Sequence, residues 1–379
     1  MAAISRRTML GQTVSVAAAA MATNLPLAAW AKRRDPKPWV PLGKLAAARG
    51  IDFGMAVNPH RLADTPSYGE LLARECTIVT PENAMKWEAL HPARDRYDFQ
   101  QADAIVDFAA KHNIKVHGHT FVWHRALPPW VAREATDKAS AETILREHIT
   151  AVMQHFKGRV LSWDVVNEAI QPKDGLPGNM RNSFWYEKLG PEYMDIAFDA
   201  AHKADPKAVL SYNDYGLEYA NRVDTAKRQT VLTMLRELKK RGVPITALGM
   251  QSHLRATGEK FGPDLADFIH EVHSMGLECW VTELDVDDSR VIAADDHSRD
   301  MQVADVYKQY LDLVLGTGCV NTVVTWGVWD QVRAVGAEAG VATNIGKSQR
   351  PLLFDSNGQP KQAAWDAAES FREAPRCKR

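Results

Sequence analysis

Long apolar runs are missing from this chain of 379 residues. The best candidate, Met9 to Ala22, is short and rich in alanine, and falls well below the roughly 20 apolar residues a membrane-spanning helix needs. Cysteine is scarce: Cys76, Cys279, Cys319 and Cys377 are the four present, and no CxxC or other zinc-like spacing joins them. They read as small buried hydrophobes rather than ligands. Neither sign of charge is in excess, with 46 Lys and Arg against 47 Asp and Glu, and a formal net charge of −1. Setting aside residues 1–31, which carry only Arg6 and Arg7, leaves 44 basic against 47 acidic residues. No basic stripe points to nucleic acid, and the balance suits a neutral polymer without demanding one. No Gly/Ser linker or low-complexity stretch divides the chain. A hydrophobic content of 45% and a charged content of 25% are those of a globular protein with a sizeable core.

The N-terminus carries an arginine pair in SRRTML, the alanine-rich run, and LPLAAWA, where Ala29 and Ala31 form a small-x-small cleavage signal. This is the pattern of a twin-arginine export signal, and predicts a periplasmic or secreted protein. The expected organisation is an export signal over 1–31, a short segment over 32–41, one catalytic domain over 42–372 and a tail over 373–379.

After Pro41 strand and helix alternate. Strands are expected at Ile51 to Val57, Thr77 to Pro81, Lys115 to Thr120, Val160 to Asn167, Ala208 to Asn213, Thr246 to Met250, Glu278 to Thr282 and Thr322 to Trp326. Several are near-continuous apolar runs, as strands buried on both faces require. The helix ends are legible as well. In the fifth helix Asp224 is the expected cap, Val231, Leu232, Leu235 and Leu238 form the apolar face, and Gly242 with Pro244 stops it. In the sixth, Pro263 suits the first turn and Gly276 the left-handed terminus. Eight such units predict an α/β fold of the (β/α)8 TIM-barrel type in a single domain, with its chemistry at the C-terminal ends of the strands.

Two of those ends are glutamates: WDVVNE ends at Glu168 and ECWVTE at Glu283. Cleaving a glycosidic bond with retention needs one carboxyl to protonate the leaving oxygen and another to attack the sugar, about 5 to 5.5 Å apart. The other strand ends hold Glu82, Asn83, Lys86 and Trp87, then His117, His119, Trp123 and His124, then Asn167, Asn213, Tyr215, Gln251, His253, Asp285 and Trp326. Amides and carboxylates suit sugar hydroxyls, and indoles suit the flat C–H faces of pyranose rings. Gln251 with His253, and Glu283 with Asp285, are two residues apart, so each pair is expected on one side of one strand.

With these residues in place the chain resembles glycoside hydrolase family 10, the endo-1,4-β-xylanases. The matching stretches are TPENAMKWE (80–88), GHTFVWH (118–124), WDVVNE (163–168), YNDYG (212–216), MQSHL (250–254), VTELDV (281–286), TWG (325–327) and PLLFD (351–355). The resemblance implies that Glu168 is the acid/base and Glu283 the nucleophile. It implies that His253 bonds the nucleophile with Asp285 behind it, and that Asn167 bonds the sugar 2-hydroxyl. Glu82, Asn83 and Lys86 would bind the non-reducing side, His119 and Trp123 would line the reaction subsite, and Trp87, Asn213, Tyr215, Gln251 and Trp326 would complete the substrate-binding set. The implied partner is xylan or xylooligosaccharides, with no cofactor, no metal, no nucleic acid and no membrane in the mature form, and a monomer is expected.

Two stretches depart from the family pattern. TWGVWDQVRAVG places Arg333 and Ala334 where the family has Ser and a second clamping Trp, which leaves Trp329 as a candidate replacement. HRALPPW places Arg125 and Ala126 where the family more often has Ser and Gln. Two other functions remain open at this level. One is a non-catalytic xylooligosaccharide-binding protein; the other is a metal-dependent barrel hydrolase using His117, His119 and His253 with Asp285 or Asp330.

Overall fold

The computed structural model describes residues 38–293, 295–330 and 349–377. The expected export segment, most of the segment that follows it, and the departures at Arg333 and Ala334 lie outside the described residues.

From Val40 onward the described residues form one compact unit. Its strands are β1 (Asp52–Val57), β2 (Ile78–Pro81), β3 (Lys115–Val122), β4 (Ser162–Asn167), β5 (Val209–Asp214), β6 (Ala247–Met250), β7 (His253–Arg255), β8 (Glu278–Asp287) and β9 (Val320–Thr325). Eight of them are parallel neighbours in a closed ring, running from β1 through β6 to β8 and β9 and back to β1. The ninth, β7, pairs only with the outer half of β8. Every residue of β1, β2, β4, β6 and β9 is buried, which is why these stretches are mostly apolar on both faces.

The helix layer reads as its amphipathic sequence dictates. Val231, Leu232, Leu235 and Leu238 are the buried face of the helix Arg222–Lys240, and Gly242 and Gly276 take left-handed conformations just past their helices. The cap of Arg222–Lys240 is Asn221, not Asp224. Asn221 accepts from the backbone N–H groups of Val223 and Asp224, while Asp224 turns back to accept from Tyr219 N–H. Trp163 on β4 faces this layer, stacked 4.5 Å from Phe121 and 5.9 Å from Phe156. It lies so close over Gly118 that a Cβ there would sit 2.2 Å from the indole.

Around the mouth the regular ladder breaks down. Register shifts fall between His119 and Val122 and between Asp164 and Val166, in the C-terminal halves of their strands, and between Val281 and Leu284 in the middle of β8. Bulges of this kind re-aim side chains. Two expectations need correction here. β8 continues past the expected end at Thr282 to Asp287, so Glu283 lies inside the strand rather than at its end and shares it with Asp285, as expected of that pair, held there by β7 in the register His253 to Asp285. Gln251 and His253 do not share a strand: β6 ends at Met250, and Ser252 takes a left-handed backbone at φ 63°. That turn is fastened by the Ser252 N–H donating to Glu218 at 2.9 Å and by the Ser252 hydroxyl 2.6 Å from the Tyr310 hydroxyl.

The four cysteines are free thiols, with Cys76, Cys279 and Cys319 buried and Cys377 half-buried. Among the described residues, no helix is long and apolar enough to cross a membrane.

Candidate active site

Glu168 follows β4 and, like Ser252, has a left-handed backbone, at φ 58°. A non-glycine residue in that region carries strain of about 1–3 kcal/mol, so the surroundings must hold it. They do so with two main-chain bonds, Glu168 N–H to the Asn213 carbonyl at 2.9 Å and Arg181 Nε–H to the Glu168 carbonyl at 2.6 Å.

A chain of amides links its side chain to that of Glu283. Gln251 Nε2 donates to Glu168 Oε1 at 3.1 Å and to Asn167 Oδ1 at 3.3 Å. Asn213 Nδ2 donates to the same Asn167 oxygen at 2.9 Å and to Glu283 Oε1 at 2.8 Å. Orientation in this chain is fixed from the Glu283 end. A carboxylate only accepts, so Asn213 must present its nitrogen to Glu283, and Asn167 must then present its oxygen to Asn213. The strand-end residues Asn167, Glu168, Asn213, Gln251 and Glu283 are therefore brought together as one network.

His253 makes Glu283 unlike Glu168. Its Nε2 lies 3.1 Å from Glu283 Oε2 and its Nδ1 3.0 Å from Asp285 Oδ1. Both ring nitrogens face acceptor-only groups, which requires the imidazolium. Desolvation opposes that charge, but the Asp285 carboxylate and then Glu283 outweigh it and raise His253 well above its ordinary range. For Glu283, which is almost wholly buried, desolvation favours the neutral acid. The His253 hydrogen bond and the fields of His119 and His253 overcome this and hold the carboxyl below its ordinary value.

His119, expected at the reaction subsite, is 3% exposed and its Nδ1 lies 2.9 Å from Asp164 Oδ2. His117 Nε2 reaches the same oxygen at 3.0 Å, and Ser211 donates to the other at 2.7 Å. Desolvation raises Asp164, but the charge and bonds of His117 and His119 bring it well below the usual carboxylate range. Asp330 bonds Lys361 at 2.7 Å. The residues named for a metal-dependent hydrolase are thus divided among different partners: His117 and His119 share Asp164, His253 pairs with Asp285 and Glu283, and Asp330 pairs with Lys361. Among the described residues no group of three His, Cys, Asp or Glu side chains is arranged to hold a metal ion.

Several residues expected at a sugar-contacting rim lie close to one another. Trp326 stands edge-on to His119 at 5.3 Å and to His253 at 6.4 Å. Lys86 donates to Asn83 Oδ1 at 2.7 Å and lies 4.9 Å from the Trp123 ring centroid. Glu82 follows β2, anchored by its N–H to the Val57 carbonyl. Arg125, from the departing HRALPPW stretch, also faces the Trp123 ring, at 5.9 Å. Tyr215 accepts from Arg181 Nη2 at 2.9 Å, with the Lys227 ammonium 4.0 Å from its ring centroid.

Two aromatic expectations fail geometrically. Trp87 is 3% exposed, stacked 3.7 Å from His148, so its ring supports the rim and offers no face to a sugar. Trp329 is 6% exposed and packs edge-on against Tyr68 at 5.1 Å, which makes it core rather than a substitute clamp.

Asp164, Arg181, Lys227 and His124 were not assigned roles from sequence. A charge inside the apolar run of β4 is a usable signal for Asp164, because buried charges must be paired. Arg181 lies in an irregular segment, where no periodicity marks it.

A closed parallel barrel whose mouth holds two carboxylates on one buried amide network, one of them clamped by an imidazolium, defines a glycoside hydrolase. The chain belongs to glycosyl hydrolase family 10, whose family model matches residues 41–370. It is 37% identical over 339 residues to endo-1,4-beta-xylanase B of Thermotoga neapolitana, covering 88% of this chain and 92% of that one. The crystal structure of native xylanase 10B from Thermotoga maritima superposes with a TM-score of 0.78 at 36% identity, covering 88% of this chain and 98% of that chain. Xylanase 10B from Thermotoga petrophila RKU-1 in complex with xylobiose is similar at TM-score 0.78 and 35% identity, covering 89% and 99%.

Proposed function

We propose that this protein is a retaining endo-1,4-β-xylanase, cutting internal xylosidic bonds of xylan by double displacement. The carrying observation is the contrast between two carboxyls on one network. Glu283 is buried and held ionised by His253, as a nucleophile must be; Glu168 is 13% exposed and takes one good hydrogen bond, from Gln251. In the first step Glu283 attacks C1 of the sugar while the Glu168 proton passes to the departing glycosidic oxygen. In the second, Glu168 takes a proton from water, the water oxygen bonds C1, and the bond to Glu283 breaks. Asn167 and Trp326, beside the two carboxyls, are suited to hold a hydroxyl and a ring face of the reacting sugar. The substrate reading is supported by the xylanase relatives and by the xylobiose complex of one of them.

The test is reducing-sugar release and product sizing on xylan, with Glu283→Ala as control and EDTA in a parallel reaction. Chelator-resistant release of short oligomers that vanishes in the variant is expected. A first product of α configuration would refute double displacement, and tight oligosaccharide binding without turnover would favour the binding-protein alternative. We further propose twin-arginine export, motivated by Arg6, Arg7 and the Ala29-x-Ala31 pattern. A precursor of unchanged size in cytoplasm and periplasm would argue against it.

A further inference from the structure

Arg181 reaches Glu168 and Tyr215 at once. Its Nε bonds the Glu168 carbonyl at 2.6 Å, its Nη2 donates to the Tyr215 hydroxyl at 2.9 Å, and the same Nη2 lies 3.9 Å from Glu168 Oε2. The Arg181 side chain is only 11% exposed, so its field at the carboxylate is weakly screened. Oε2 is the oxygen that Gln251 leaves alone, since Gln251 bonds Oε1. We propose that Arg181 is the positioning residue of the proton-transfer side. It locks the left-handed backbone of Glu168, supplies the cation that favours ionised Glu168 when water must be deprotonated, and joins that carboxyl to the aromatic ring of Tyr215. This rests on the reading of Glu168 as acid/base.

The other charged groups around Glu168 do not duplicate this role. His124 Nδ1 is 3.6 Å from Oε2, but desolvation first, then Arg181 and Arg125, push this imidazole down to about 4, so it is neutral at working pH. Asp214 acts on Glu168 in the opposite sense, as a like charge, and is itself tied to Lys227 at 2.7 Å and to Tyr212. Lys227 is thereby committed to Asp214 and to the face of Tyr215. Asp174, the remaining carboxylate acting on His124, accepts from the Asn182 N–H at 2.7 Å. Glu283 belongs to the far end of the amide network and is compensated by His253. Arg181 is the cation within 4 Å of the acid/base among the described residues.

The experiment compares wild type, Arg181→Met, Arg181→Lys and Glu168→Gln. Rates against pH are measured on two xylobiosides, one with a poor alkyl leaving group and one with a dinitrophenyl leaving group that needs no proton. An opposite charge this close favours the ionised form of a carboxyl. Arg181→Met should therefore move the basic limb of kcat/KM on the poor leaving group upward. Its second step on the dinitrophenyl substrate should slow, whereas Arg181→Lys should keep the limb in place. A uniform loss in Arg181→Met with the limb unmoved would overturn the proposal. Should that variant fold poorly, judged by thermal melting, Tyr215→Phe gives a second reading. It frees Arg181 of its far anchor and is expected to move the limb by a smaller amount, and an unmoved limb there again counts against the proposal. Glu168→Gln separates the two levels: if it retains full activity on the poor leaving group, the acid/base reading itself fails. If it behaves as an acid/base variant while Arg181→Met leaves the limb unmoved, only the role of Arg181 is lost.

Discussion

Replacing His253 by alanine removes the cation and hydrogen bond that keep Glu283 ionised, and the effect can be sized from its contacts. The lost interaction is a charge-assisted bond at 3.1 Å, a type worth about 1.5–3 kcal/mol. His253 is 38% exposed, so solvent screening places the value at the lower end, about 1.5 kcal/mol. Without that bond desolvation dominates and the Glu283 carboxyl rises. Asp285, deprived of the same partner, then faces Glu283 as an uncompensated like charge and adds to the shift. The nucleophile must be ionised, so a raised pKa moves the acidic limb of kcat/KM upward. The loss should be about tenfold below the limb and smaller above it, and the position of the limb belongs to the pair of carboxyls rather than to either alone. The assay is kcat/KM on a xylooligosaccharide from pH 4 to about 9, a window that spans the ordinary carboxylate and imidazole ranges. A uniform loss with an unmoved acidic limb would refute the reasoning.

Two substitutions test packing. Trp329→Ala should destabilise the fold by about 3–5 kcal/mol, read by urea denaturation, while leaving KM for short oligomers within about a factor of two, because a buried ring is lost and no sugar contact with it. A raised KM with intact stability would restore Trp329 as a sugar platform. Gly118→Ala puts a Cβ 2.2 Å from the Trp163 indole, so overpacking should cost at least about 1–3 kcal/mol in the same assay. A variant as stable as the parent would mean that β3 and Trp163 can separate without penalty.

Strand positions, the barrel and the two glutamates were legible because burial on both faces writes a continuous apolar run, and the strand that feeds the mouth ends in chemistry. Helix ends were legible where a proline or glycine marks them, as at Pro263 and Gly276, and misread at Asp224, where Asn221 three residues earlier offers an equally good cap. Gln251 and His253 were misplaced on one strand because no glycine marks the left-handed turn at Ser252; tertiary bonds to Glu218 and Tyr310 stabilise it instead. Trp87 and Trp329 were ambiguous for a different reason, since an indole serves equally as core and as platform, and only its neighbours distinguish the two.

The sequence by itself determined the alternation of strand and helix, the order of the strands and the residue types at their ends, because these follow from hydrophobic period and local turn chemistry. Tertiary structure alone decided which of those residues meet. Closure of β6 onto β8 brings Asn213, Gln251 and Glu283 into one network, and the short β7 sets His253 opposite Asp285. It also made two identical side chains chemically different, by setting the His253 imidazolium beside Glu283 and Gln251 with Arg181 beside Glu168.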